Sequence, residues 1–379
     1  MRNGVGKELY SGISCNLDSN ILSACFPLFK GGEVEVIEWS FDTLFSHNNL
    51  PDWFDHLLTV FGEEGRLIGH GVYFSLFNGT FTKDQQEWLN GLRVTSDRYE
   101  FDHISEHFGF MTGQDFHKGA PLNVPLSDNS LAIARDRISR MSYACGKPVG
   151  LENLAFCYDK EGLIRQGSFI NQILEEVNGF LILDLHNLYC QCMNFDIEFS
   201  ELILKYPLDR VREIHISGGS WEIAQSEDRK IRRDTHDDAV PREVFEYLQE
   251  VIPKLPNLKF VILEQLGTGL DTIVKQARFR DDFETMKSIV DHKQLEKPLA
   301  TNDFKSKNLK LSKHPISDET LAKQQQELTF ILENSVDFRS VKKRLQNSSL
   351  ASSPWNIESW EDSMLETAFA IANKWKSGF

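Results

Sequence analysis

Pro148-Val149-Gly150-Leu151-Glu152-Asn153, a helix-like stretch over Ser168–Val177, and then Phe180-Leu181-Ile182-Leu183-Asp184-Leu185-His186 decide the fold. Two short β-rich runs flank a helical segment, and each run carries a carboxylate near its end, Glu152 and Asp184. A strand, a helix and a second strand in that order make one unit of a parallel sheet. The same alternation extends in both directions. Strands are predicted over Leu9–Cys15, Val34–Trp39, Leu67–Val72 and Asp102–His107 before this unit, and over Arg212–Ser217 and Lys259–Glu264 after it. Helix-like stretches separate them at Ser19–Phe29, Asp52–Phe61, Lys83–Thr95, Asp128–Cys145, Asp196–Lys205 and Arg242–Lys254, and Thr272–Lys293 follows the last run. Ser127 caps one of these, and Pro241 leads another into an apolar stripe. Eight such units in under 300 residues match an α/β fold of the (β/α)8 TIM-barrel type. An open doubly wound sheet fits less well, because no G-x-G-x-x-G follows an early strand.

The chain has 379 residues. That length accommodates a barrel over 1–293, a polar Lys-rich linker over 294–318, and a small helical C-terminal extension over 319–379, with helices after Leu321 and around Trp360–Trp375. With 41% hydrophobic and 11% aromatic residues, the chain can build a real core without a disulfide or metal staple. The net charge is −15, from 41 Lys+Arg against 56 Asp+Glu. The tail is slightly basic, so the acidity lies in the barrel. This argues against a nucleic-acid partner, which needs a basic footprint, and favours a cationic ligand, a metal or a basic peptide. The N-terminus Met1-Arg2-Asn3-Gly4 shows no signal-peptide pattern, and no apolar run approaches membrane-spanning length. Six cysteines without framework spacing point to free thiols in a reducing cytoplasm. Cys190 and Cys192 form a C-x-C pair, but no second pair completes a metal site.

In a parallel barrel, functional side chains collect where strands end. The predicted strand ends deliver His70, Glu106 and His107, Glu152 and Asn153, Asp184 with His186 and Asn187, Glu213 and His215, and Glu264. The loop after the seventh strand adds Asp234, His236 and Asp237. Taken singly, each reads as a cap, an ion-pair partner or a structural histidine. Together, carboxylates and imidazoles converging on one rim indicate a metal cluster rather than an ion-pair network. The set contains no thiolate, which disfavours structural zinc. His70, His107 and Glu152 make a two-His, one-carboxylate group suited to non-haem iron, with zinc or manganese open on ligand type alone. Glu152 is able to bridge, so two or three ions fit.

These words resemble a known pattern. Gly69-His70-Gly71-Val72, Ser105-Glu106-His107, Leu151-Glu152-Asn153, Leu183-Asp184 with Asn187, Glu213-Ile214-His215-Ile216 and Asp234-Thr235-His236-Asp237, with Glu264, look like the trinuclear site of xylose-isomerase-like barrels. Within them the closest likeness is to the DUF692 family of multinuclear non-haem iron-dependent oxidative enzymes. The resemblance implies one iron on His70, His107 and Glu152. Glu152 would bridge to a second on Asp184, His215 and Glu264, and a third would sit on Asn187, Asp234 and His236. It further implies oxidative, dioxygen-dependent modification of a ribosomally made precursor peptide, at cysteine, with a separate peptide-binding partner protein. His103, Glu106, Asn153, His186 and Asp237 are expected behind the ligands or lining the substrate pocket. His186 stands where many relatives carry Asn, and Ile37-Glu38-Trp39-Ser40 departs from the family's ending of the second strand. Two other readings compete. A trinuclear zinc phosphoesterase of the endonuclease IV type would carry His where Asn187 stands, and a non-catalytic barrel would leave this rim purely structural.

Overall fold

The computed structural model describes residues 9–45, 50–113, 118–293, 301–306, 309 and 311–376. The N-terminal residues 1–8 and part of the expected linker, 294–300, 307, 308 and 310, lie outside the described residues. Eight parallel strands close a barrel: β1 (Tyr10–Ser14), β2 (Val36–Trp39), β3 (Leu67–His70), β4 (Ile104–His107), β5 (Val149–Glu152), β6 (Phe180–Asp184), β7 (Val211–Ile216) and β8 (Phe260–Leu263). Each pairs with the next in chain order, and β8 closes on β1. Each is followed by a helix: α1 (Ser19–Gly31), α2 (Asp52–Glu63), α3 (Lys83–Arg98), α4 (Asp128–Cys145), α5 (Lys160–Glu175), α6 (Leu185–Phe195), α7 (Arg242–Val251) and α8 (Ile273–His292). The expected TIM barrel is the fold observed.

Local chemistry sets the helix ends. Thr82 and Gln85 form a capping box at the start of α3, Ser127 and Ser130 do the same for α4, and Gly146 ends α4 at φ 63°. One expectation is corrected. The sixth strand does not run to His186, and no long helix covers Asp196–Lys205. The strand stops at Asp184, whose carboxylate accepts from the Asn187 backbone N–H at 2.5 Å and so caps α6 at once. His186 and Asn187 therefore sit on the first turn of a helix, not on a strand. Residues 199–205 form only two short turns.

The barrel interior is packed, not hollow. Val36, Ile68, Phe260 and Ile262 form one apolar layer; Phe180, Ile182 and Phe304 form another. Gly150 leaves room for the Phe180 ring, which a Cβ there would overlap. Phe304 comes from the segment after the barrel, and the Arg212 guanidinium lies 5.7 Å from its ring centre. From there the described residues follow the outside of α4. Arg140 bonds the Ser312 carbonyl at 3.1 Å and Arg137 the Ile316 carbonyl at 2.8 Å.

Three further helices follow: α9 (Glu319–Asn334), α10 (Phe338–Gln346) and α11 (Asp362–Trp375). The sequence predicts two. α10 escapes because its face is mostly Lys and Arg, with only Val341 and Leu345 buried. α9 and α11 pack onto the barrel's loops, and α10 packs against both of them. Gln325 on α9 bonds the backbone of Phe77 and Gly79 at 2.8 and 2.9 Å. Trp360 stacks on Tyr158 at 3.8 Å and 9°, a contact worth about 0.5–1.5 kcal/mol beyond its buried area. Glu366 on α11 accepts from the backbone of Gln225 and Ser226. Those two residues form the turn between Trp221–Ala224 and Arg229–Arg232, a hairpin inserted after β7. No helix among the described residues is long and apolar enough to cross a membrane.

Candidate metal centre

Strand register assembles the site. β4 pairs with β5 so that His107 lies beside Glu152, and β6 pairs with β7 so that Asp184 lies beside His215. His70 ends β3, and Glu264 follows β8. All six reach the C-terminal mouth of the barrel. Glu152 is central. Its Oε2 lies 3.3 Å from His70 Nε2 and 3.4 Å from His107 Nε2; its Oε1 lies 3.3 Å from His215 Nδ1. The two oxygens of one carboxylate thus face two donor sets. In each set, His70–His107–Glu152 and Glu152–Asp184–His215–Glu264, one ligand atom per residue lies within 4.8 Å of the others.

The imidazoles are held from behind. His107 Nδ1 donates to the Gly71 carbonyl at 3.1 Å, and His70 Nδ1 meets Ser105 Oγ at 2.8 Å. Both leave Nε2 toward Glu152. His215 Nε2 meets Glu38 at 3.0 Å and Glu213 at 3.3 Å, so its Nδ1 faces Glu152 and Glu264. A second bond on the far nitrogen is how ligating histidines are oriented.

Charge inside the cluster is strongly coupled. Burial pushes the Glu152 carboxyl up, but the His215 and His70 imidazoles overcome it and hold it well below the usual carboxylate range. Asp184 moves oppositely: burial first, then the charges of Glu152 and Asp234, drive it well above that range. Burial disfavours charge on His70, yet Glu152 and Glu38 raise it to about 10. His236 rises to about 10 against the same burial, through Asp234. Protons here occupy places that cations suit. The orphaned atoms agree: Asp184 Oδ2, Asn187 Oδ1 and His215 Nδ1 are buried with no hydrogen-bond partner among the described residues. Hard oxygen and imidazole donors, with no thiolate, fit iron, manganese or zinc in its non-structural form.

The remaining expected residues fall in several places. Asp234 Oδ1 lies 3.0 Å from His236 Nε2, and His236 Nδ1 lies 3.9 Å from Glu264. His236 has φ 51°, a backbone conformation seldom seen outside glycine. Asn187 lines the same mouth and donates to the Asn153 carbonyl at 2.7 Å. Asn153 pins β5 to β6, bonding both backbone groups of Asp184. His186 Nδ1 meets Asp234 at 2.9 Å. Glu106 stands behind His107, its Oε1 3.5 Å from His107 Nδ1, and accepts from the backbone of His107 and Phe74. Asp237 accepts from Thr235 Oγ1 at 2.5 Å. His103 lies deeper, bonded to Asp102 at 2.9 Å and Glu213 at 2.7 Å, and touches His215 only through Glu213.

Sequence reasoning missed Glu38 as a partner of His215. Glu213 was readable, since it stands two residues before His215 and shares its strand face. It also missed the outer wall. The cluster floors a cavity of about 260 Å³, one side of which is α11, through Met364, Thr367, Ile371, Lys374 and Trp375. All six cysteines are buried and free, and none joins a donor set.

Fold and site together define a (β/α)8 barrel with a convergent His/carboxylate donor cluster at its C-terminal mouth. The chain belongs to the family described as RiPP precursor modification enzyme MbnB/TglH/ChrH, whose model matches residues 38–267. That stretch contains every residue of the donor sets. The match does not favour the phosphoesterase alternative. A UPF0276 protein of Acaryochloris marina is 30% identical over 152 residues, 39% of this chain and 54% of that protein. One of Caulobacter vibrioides is 25% identical over 194 residues, 50% of this chain and 65% of that protein. The chain thus spans between half and two thirds of the length of these relatives. Among solved structures, a xylose isomerase-like TIM barrel protein from Mycobacterium smegmatis in complex with magnesium is 12% identical. The likeness covers 75% of this chain and 97% of that one, with a TM-score of 0.46.

Proposed function

We propose that this protein is an iron-dependent enzyme that uses dioxygen to modify a ribosomally made precursor peptide at cysteine, assisted by a separate peptide-binding protein. The observation that carries the reading is the placement of Glu152, one carboxylate facing two donor sets. His70, His107 and Glu152 would hold one ion; Glu152, Asp184, His215 and Glu264 a second; Asn187, Asp234 and His236 a third. Bound iron supplies the redox chemistry that no side chain offers.

The chain's own residues do the rest. Ser105 and the Gly71 carbonyl fix the rings of His70 and His107, so both present Nε2 without reorganisation. Glu38 and Glu213 do the same for His215 Nδ1. Leu154 and Phe156 with α11 give the mouth an apolar wall on the substrate side. The matched family is one of precursor-peptide modification, which supports the substrate class. The buried free thiols support work in a reducing cytoplasm.

The test is metal analysis of anaerobically purified protein, followed by dioxygen uptake with cysteine-containing peptides. About two to three irons per chain are expected. Glu152→Ala should empty both sets it serves, whereas His107→Ala should empty only one. Zinc alone, with no dioxygen uptake on any such peptide, overturns the proposal.

A further inference from the structure

Arg232 ends the hairpin after β7, lines the cavity and is 6% exposed. Its guanidinium lies over the rings of Tyr189 and Trp221, 5.4 and 5.5 Å from their centres. Its backbone is fixed on both sides by Asn194, at 2.8 and 2.9 Å. Nε and Nη2 approach Nε2 of His186 at 3.3 and 3.1 Å. Its neighbours have counter-charges: Arg229 pairs with Glu361, and Arg233 with Glu222. Among the described residues, no carboxylate stands within ion-pair distance of Arg232 itself.

A buried guanidinium without a counter-ion is costly. Arg is also the side chain whose planar fork suits a carboxylate, and ring stacking preorganises that fork. The position is close to the metal centre, since His186, which Arg232 touches, holds Asp234 through its other nitrogen. Lys374 of α11 lines the same cavity and adds positive potential. The carboxylates on its floor, Glu152, Asp234 and Glu264, belong to the donor cluster. So the acidity of the whole barrel does not extend to the outer cavity. Its size, about 260 Å³, is below the roughly 300–1,000 Å³ of pockets that bury a drug-sized ligand. It admits a side chain or a chain end, not a folded domain.

We infer that Arg232 binds a carboxylate of the substrate peptide, an acidic side chain or the C-terminal α-carboxylate, and thereby sets which residue reaches the metal centre. This inference rests on the peptide-modifying function proposed above. The experiment uses metal-loaded full-length protein and four pools of short random peptides, each with one fixed cysteine. The pools either contain or lack Asp and Glu, and end in a free acid or an amide. Wild type should retain a carboxylate-bearing pool about tenfold or more over the pool with neither feature; whichever pool is retained identifies the source. Arg232→Gln should lose that preference while keeping its metal content, and Arg232→Lys should recover part of it. Unchanged preference in Arg232→Gln overturns the inference. So does loss of metal in that variant, because Arg232 would then act only by holding His186. Retention of no pool by wild type instead overturns the peptide-modifying function.

Discussion

Glu38 Oε2 lies 3.0 Å from Nε2 of His215, on the ring nitrogen opposite the one facing Glu152 and Glu264. Both residues are fully buried, and neither Glu38 oxygen has a hydrogen-bond partner among the described residues, so the contact acts through charge. The pairing keeps the proton on Nε2 and frees Nδ1 toward the cluster. Glu38→Gln preserves the volume and removes the charge that enforces this tautomer. It should weaken metal retention by about 10–100-fold, the usual effect of losing a group behind a ligand. Competition against a chelator measures this, and an unchanged affinity would mean Glu38 serves packing alone.

Metal loading should release protons. Against burial, neighbouring carboxylates raise His70 and His236 to about 10, so both rings carry a proton at neutral pH when no ion is bound. An ion binds the neutral imidazole, and each such ring must give up its proton. Affinity therefore falls as pH is lowered, by up to about tenfold per released proton per pH unit. Calorimetric titration in buffers of different ionisation enthalpy counts the protons. Binding with no proton release would contradict the charge state described for this cluster.

The barrel was legible because strand ends carry their own punctuation. Leu151-Glu152-Asn153 and Ile214-His215-Ile216 place one polar group at the end of an apolar run, and that is where the structure puts the rim. Leu183-Asp184-Leu185-His186 misled because it alternates like a strand, while the decisive interaction is Asp184 capping its own helix. Arg232 gave no signal at all. It lies in a loop excursion, and its meaning comes from Tyr189, Trp221 and His186, far from it in sequence or unremarkable beside it. Glu38 was visible but uninterpretable until β2 and β7 were seen on opposite sides of one closed interior.

Asp102 anchors the other end of that interior. It accepts from Arg212 at 2.6 Å, from His103 at 2.9 Å and from Lys259. Burial pushes its carboxyl up, but His103, Arg212 and Lys259 outweigh this and hold it far below the usual range. A carboxyl depressed by folding adds stability above its unfolded value, about 3.9, and that stability disappears as pH falls below it. Asp102→Asn should cost about 3–5 kcal/mol at neutral pH, as when one partner of a buried pair is removed. The gap to wild type should narrow below about pH 4. Denaturant unfolding at several pH values checks it; a gap constant down to pH 3 would assign the cost to packing.

Gly79 tests whether the C-terminal helices belong to the cavity. A Cβ at this position would lie 2.8 Å from Cα of Ala322 and 2.9 Å from the Asp318 carbonyl, in a contact that admits no side chain. The same residue bonds Gln325 and Asp318 through its backbone, at 2.9 and 2.7 Å. α9 in turn supports α11, where Asn373 donates to the Leu332 carbonyl at 2.9 Å. Gly79→Ala must therefore displace α9, and α11 moves with it. The expected cost is about 1–3 kcal/mol, typical of an inserted methyl in a tight contact. Protease cleavage should appear in the segment 311–318, which in the wild type is held against α4 and Gly79. Metal content should stay intact, because no donor lies on these helices. Peptide affinity should fall, because Ile371 and Trp375 leave the cavity wall. Wild-type affinity in a variant whose extension is demonstrably loosened would remove α11 from the substrate site.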